Sequence, residues 1–235
     1  MKALQLTVVA LGLALGAHAQ TAEEVFKKHV TAVGGTENWN KINTMKLTGS
    51  MSVQGMEIGL TQTMVQDKGF RMDISAMGQN GYMIYTKTGG WMFMPFQGMT
   101  EPKELTADDV KDAKEQMDFR NLQMIDQSKI AKMTMDGNDT INSVNCYKIK
   151  VTNKDGEDME CYIDSKSYYL VKIEKKMKVQ DEEQEVASNF SDFKKLPEGI
   201  VVPMTWGTPS GDLMFKTVEV NKPVSDATFK PDAKK

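Results

Sequence analysis

Along 45–53 apolar and polar positions alternate: Met45, Leu47, Met51 and Val53 stand on one side, Lys46, Thr48, Ser50 and Ser52 on the other. A period of two marks a half-buried strand. Gln54-Gly55 turns the chain, and Met56, Ile58, Leu60 and Met64 alternate back. A two-residue turn sets Met51 opposite Ile58 on one face, so pattern and register agree on a hairpin. Phe70, Met72 and Ile74 supply a third strand. The stretch 81–96 is different, because its two halves are almost unbroken apolar runs on either side of Gly89-Gly90. Runs of that kind imply strands covered on both faces, joined here by a tight Gly-Gly turn. A turn at Asn80-Gly81 puts Met72 and Ile74 on the face of Met83 and Tyr85; a longer loop from Gly78 puts them on that of Ile84. The pattern leaves both open.

Before the first strand the period is helical. Thr21-Ala22-Glu23-Glu24 is a capping box, Val25, Phe26, His29, Val30 and Val33 form an apolar stripe, and Gly34-Gly35 ends it. A short second helix is expected from Thr36 through Trp39 to Ile42. After Phe96, residues 97–105 read as loop. Thr106-Ala107-Asp108-Asp109 then opens a charged segment reaching Ser128, with a thin apolar stripe of Val110, Ala113, Met117, Leu122, Met124 and Ile125. Placed between strands, it predicts either a helical lid or an ordinary surface helix. Strands resume at 133–135, 147–151, 159–163, 168–173, 190–193, 200–206 and 213–220, while Asp181-Glu182-Glu183 reads as loop or edge. Successive hairpins without βαβ alternation give an α+β class: an antiparallel sheet or barrel with helices added.

Composition sharpens this outline. Met1-Lys2 followed by an apolar stretch and Ala17-His18-Ala19 fits a signal peptide over 1–19, cut after Ala19. Gln20 in place of Cys argues against a lipoprotein anchor, so the expected product is exported, periplasmic or else secreted. Residues 20–235 show no repeat or linker and read as one domain. The net charge is −3 and the basic residues are scattered, which disfavours nucleic acid. Of 19 methionines, ten fall between Met45 and Met99. Such a cluster fills a core, or lines a surface that adapts to varied apolar shapes. Cys146 and Cys161 are the only cysteines, and an exported chain permits their pairing. An Asp155-Gly156 turn sets Cys146 opposite Ser165, too far from Cys161, whereas a shifted register brings them together. A disulfide and two separately buried thiols both remain open.

The order of parts resembles the LolA-like family of periplasmic lipoprotein carriers. The residues that carry the likeness are Gly90-Trp91-Met92-Phe93-Met94-Pro95-Phe96 and the ending Asp226-Ala227-Thr228-Phe229-Lys230-Pro231. Val33-Gly34-Gly35 with Trp39, and Tyr162-Ile163-Asp164 before 168–172, are similar to a looser branch of outer-membrane lipoprotein-sorting proteins. The resemblance implies an incomplete antiparallel barrel of about eleven strands around an apolar cavity, with an N-terminal helix and an inserted helical lid. Acyl chains of lipids or lipoproteins would enter the cavity, with inner- and outer-membrane proteins as further partners. The carriers latch their lid with an Arg beside a Pro at the third strand. This chain reads Asp67-Lys68-Gly69-Phe70-Arg71-Met72 there, without the Pro, leaving Lys68 or Arg71 as substitutes.

The expected cavity wall is Leu47, Met51, Ile58, Leu60, Phe70, Met72, Ile74, Ile84, Trp91 and Phe93, with Met117 and Met124 from the lid. His29 is the only histidine after the signal peptide, and it reads as a structural residue of the first helix. No nucleophile elbow, zinc-binding or phosphate-loop motif is present. The expectation is therefore a binding protein without cofactor, metal or catalytic residues. Alternatives are a regulatory module of the RseB type on the same fold, and a hydrolase whose acid pair is assembled from distant strands.

Overall fold

The computed structural model describes residues 20–111, 117–120, 123–179 and 182–232; the expected signal peptide lies outside them. The capping box forms as the sequence predicts. Thr21 Oγ1 accepts from Glu24 N, and Glu24 Oε2 accepts from Thr21 N, both at 3.2 Å. It opens α1 (Ala22–Ala32), which buries Val25, Phe26, His29 and Val30. Gly34 then turns the chain with φ +113°; a Cβ there would stand 2.3 Å from Gly199 O, so only glycine fits. α2 (Gly35–Asn40) follows and buries Trp39.

Among the described residues thirteen strands form one antiparallel sheet: β1 (Thr44–Val53), β2 (Met56–Val65), β3 (Gly69–Ala76), β4 (Gln79–Thr86), β5 (Gly89–Phe93), β6 (Lys103–Leu105), β7 (Ile130–Ile141), β8 (Val144–Asn153), β9 (Asp158–Asp164), β10 (Leu170–Val179), β11 (Glu182–Lys195), β12 (Val201–Thr208) and β13 (Gly211–Val220). Their order is β6-β5-β4-β3-β2-β1-β13-β12-β11-β10-β9-β8-β7. β6 and β7 are the two edges and do not pair, so the barrel stays open there. The count exceeds the eleven that the resemblance implies. Lys103–Leu105, read as loop, adds a strand by pairing with β5, while β10 and β11 only lengthen the expected strands at 168–173 and 190–193 into a long hairpin.

Met51 faces Ile58 as predicted. Of two further turns, the sequence leaves the first open and misplaces the second. β3 and β4 are joined through Met77-Gly78, with φ +53° and +74°, because Ala76 pairs with Gln79. β4 and β5 are joined through Lys87-Thr88, so Gly89-Gly90 begins β5 rather than forming the turn. The glycine is still required there: a Cβ on Gly90 would meet Ile84 O at 2.0 Å. The resulting register puts Met72 opposite Met83 and Phe70 opposite Tyr85, on the inner face with Leu47 and Met64.

The inner face is covered by the helices and by the segment entering β7. Leu47, Leu60, Met64 and Phe70 pack with Trp39, Ile42, Met117, Phe119 and Ile125. Across the other half, α1 packs Val25 and Phe26 against Ile149, Val151, Cys161 and Leu170. A third cluster lies on the outer face, where Tyr82, Ile84, Trp91 and Phe93 meet Val224 and Phe229 of the C-terminal segment. That segment explains why both faces of β4 and β5 are apolar.

The predicted helix over 106–128 is only partly realised among the described residues. Thr106 and Asp109 cap each other reciprocally, with Thr106 N donating to Asp109 Oδ2 at 2.7 Å. The described residues beyond them are turns and short 3-10 pieces, not α-helix. Met117, Phe119, Met124 and Ile125 nonetheless all point inward. An irregular backbone, including Met124 at φ +52°, accommodates the irregular apolar spacing. The disulfide is excluded by register. Cys146 pairs with Asp164 and Cys161 with Ile149, on opposite faces of the sheet, and both thiols are free and buried.

Candidate functional site

An apolar cleft of about 680 Å³ lies inside the open half-barrel, beneath the covering segment. That volume is within the roughly 300–1,000 Å³ typical of small-ligand sites. Met159 of β9, Ile173 of β10 and Val186 and Phe190 of β11 form its floor. Met117 and Met124 form the roof, and Ile130 closes one side. The floor residues share a face because β9, β10 and β11 alternate in register: Met159 pairs with Lys175, and Lys175 with Val186. Phe190 is held in place by Trp206, edge to face at 6.3 Å. The mouth is polar, with Asp67 and Lys87 from turns of one half facing Asn153, Lys154 and Asp155 from the other.

The cover is tied down at both ends. Asp67 N donates to Met117 O at 3.3 Å, and Gln66 Nε2 to Asp118 Oδ1 at 2.8 Å. Asp118 also pairs with Lys129. Arg120 donates to carbonyls at the end of α2: Trp39 O at 3.2 Å, Asn40 O at 3.3 Å and Ile42 O at 2.9 Å. The roof itself rests on β9, where Cys161 Sγ lies 3.2 Å from Met124 Sδ.

Fully buried His29 forms another tie. Its Nε2 lies 2.9 Å from Gln123 O of the cover, and its Nδ1 2.9 Å from Tyr168 O. A neutral imidazole has one N–H and can donate to only one of these carbonyls. Protonation would satisfy both, but burial disfavours the charge more strongly, so the pKa lies below the ordinary histidine value.

Of the residues expected to line the cavity, Met117 and Met124 do so. Leu47, Leu60 and Phe70 are instead locked into the packed core. Met51, Ile58, Met72 and Ile74 are half-buried at its margin. Ile84, Trp91 and Phe93 belong to the outer cluster and do not reach the cleft, because the β4–β5 register turns them to the opposite face. Lys68 and Arg71 do not latch the cover. Lys68 pairs with Asp226, and Arg71 holds the C-terminal segment through Thr228 O at 3.2 Å and Asp232 Oδ1 at 2.9 Å, stacking over Tyr82 at 4.9 Å. The floor residues Met159, Ile173, Val186 and Phe190 were missed. Their alternation was visible, but nothing in the sequence ranked this face above that of β1–β3.

Among the described residues no helix is long and apolar enough to cross a membrane, and no group of His, Cys, Asp or Glu converges as a metal site. No family model matches the chain, and no curated protein matches it by sequence. Solved structures do. A LolA superfamily protein from Nitrosomonas europaea is similar at 12% identity and TM-score 0.53, over 91% of this chain and 99% of that one. An outer membrane lipoprotein-sorting protein domain from Vibrio parahaemolyticus aligns at 12% identity and TM-score 0.50, over 88% and 95%. A DUF1329 family protein from Desulfovibrio piger aligns at 11% identity and TM-score 0.50, over 90% and 98%. With this sheet order, these helices on its inner face and a likeness that runs over nearly the whole length of each chain, the protein has the open half-barrel fold of the LolA superfamily and lipoprotein-sorting structures.

Proposed function

We propose that this protein is an exported carrier that holds an acyl chain of a lipid or lipoprotein in the cleft between the cover and β9–β11. The observation that carries the reading is the cleft itself: a floor of Met159, Ile173, Val186 and Phe190 interrupted by Lys175, a methionine roof, and a polar mouth. Each methylene buried there contributes about 0.8 kcal/mol, so a long chain outweighs the cost of displacing the cover. Met117 and Met124 suit a roof that must fit chains of varied shape. The described residues of the cover form neither α-helix nor strand, which suits a segment that opens and recloses. The fold of the lipoprotein-sorting domain and the signal-like residues 1–19 agree with work outside the inner membrane, where membrane proteins at either side would load and unload the carrier. The same chemistry favours binding over catalysis.

The test is native mass spectrometry of protein exported by its own 1–19 segment, followed by titration with a fluorescent fatty-acyl probe. One acyl lipid per protein and saturable probe binding, lost in Met159→Glu, are expected. A folded protein that neither carries lipid nor binds the probe would overturn the reading.

A further inference from the structure

We infer that the mouth of the cleft recognises the phosphodiester of a membrane glycerophospholipid, an inference that rests on the acyl-chain reading above. The lining carries four lysines, Lys87, Lys129, Lys154 and Lys175, and three aspartates, Asp67, Asp118 and Asp155; Lys129 and Lys175 have partners of their own, which leaves Lys87 and Lys154 as the lysines for a ligand at the mouth. The lysines come from the β4–β5 turn, the end of the cover, the β8–β9 turn and β10, and line one cleft only because the barrel curls. Lys129 is committed to Asp118, which fixes the inner part of the rim. Lys154 N donates to Lys129 O at 2.9 Å, binding the β8–β9 turn to the cover. Lys87 and Lys154, both exposed, then stand at the opening of an apolar cleft, one from each half of the sheet.

Lysines carried on both halves of the lining suit a head group that carries one negative charge and several acceptor oxygens, and lysine binds phosphate as a point charge. A phosphodiester meets both conditions, with Asp67 and Asp155 beside it able to receive the ammonium of a zwitterionic head. The glyceride of an acylated protein terminus has no charge to offer this rim. The cargo is therefore a phospholipid rather than a neutral acyl glyceride.

The experiment compares three probes with the same labelled acyl chain: phosphatidylglycerol, diacylglycerol and the free fatty acid. Phosphatidylglycerol should bind about tenfold more tightly than diacylglycerol, and the gap should narrow as salt is raised. Lys87→Gln combined with Lys154→Gln should remove the gap, read as the ratio of phosphatidylglycerol to diacylglycerol affinity within the same variant falling from about ten to about one. Equal affinity for phosphatidylglycerol and diacylglycerol, or a gap that survives the double substitution, would overturn the inference and leave the acyl reading intact. Fatty acid binding as tightly as phosphatidylglycerol would also overturn it, in favour of a simple carboxylate. Failure of all three probes would instead remove the acyl reading on which it rests.

Discussion

Ile84 and Trp91 pair across β4 and β5 on the outer face of the sheet, backed by Phe229, while their neighbours Met83 and Met92 pair on the inner face. The aromatic strand is thus a contact for the C-terminal segment and not a ligand wall. Trp91→Phe should leave affinity for an acyl probe unchanged. Trp91→Ala should cost about 2 kcal/mol, less than a fully buried aromatic because the residue is only partly buried. Denaturant melts combined with probe titration check both. Loss of affinity in folded Trp91→Ala would place the ring in the binding path after all.

The tie between His29 and Gln123 makes the cover sensitive to acid. The folded pKa of His29 lies below its ordinary 6.5, so between the two values the unfolded chain binds more protons. Its contribution is fully present above pH 6.5 and is lost as pH falls below it, until the folded value is reached. Thermal melts should therefore drop from about pH 7.5 to about pH 5.5, and His29→Gln should flatten that part of the profile. A profile equally steep in His29→Gln would assign the effect to other groups.

Arg120 holds three carbonyls at the end of α2 and anchors the middle of the cover. Arg120→Ala should cost about 1–3 kcal/mol by leaving polar groups unsatisfied. It should also speed release of a bound acyl probe. Arg120→Lys should recover only part of the loss, because an ammonium does not reproduce the guanidinium fork. Stopped-flow release and hydrogen exchange at 117–120 read the two effects together.

Arg71 does the equivalent work on the outer face. It contacts Asp73, Thr228, Lys230 and Asp232, and its side chain is only 11% exposed. Arg71→Ala should free the C-terminal segment at a cost of about 1–3 kcal/mol. Hydrogen exchange should rise in β3, β4 and 226–232 while the acyl-probe affinity stays the same. An equal loss of protection over the β9–β11 floor would show that the two faces are coupled.

Neither cysteine should react in the native state. Burial pushes the Cys146 thiol up to about 11 and raises Cys161 as well, so little thiolate forms near neutrality. A thiol reagent should label both only after unfolding. Mobility on a non-reducing gel should not change on adding reductant. Resistance of the unfolded, unreduced protein to labelling would mean a disulfide forms despite the register.

Much of the fold is legible along the chain because it depends on neighbours in sequence. The Thr21–Glu24 capping box, the Met51–Ile58 hairpin and the succession of antiparallel strands each rest on a short-range pattern with one physical solution. The strands at 168–173 and 190–193 were legible, but their extension into the long β10–β11 hairpin was not, because the stretch between is rich in charged residues. Gly89-Gly90 was misplaced by two residues because glycine serves close backbone approach as well as turns.

The site is a different matter. Alternation by itself determined which residues share a face, and the composition determined that some apolar surface would be lined with methionine. It did not determine which face closes and which stays open, since that depends on what packs against each one. Tertiary structure decided it: Trp39, Phe119 and Ile125 fill the inner face of β1–β3, Phe229 covers Ile84 and Trp91, and the face of Met159, Ile173 and Phe190 is left as the cleft. Lys87 and Lys154 line the same cleft only because the sheet curls two distant turns toward it, a long-range consequence that no local pattern encodes.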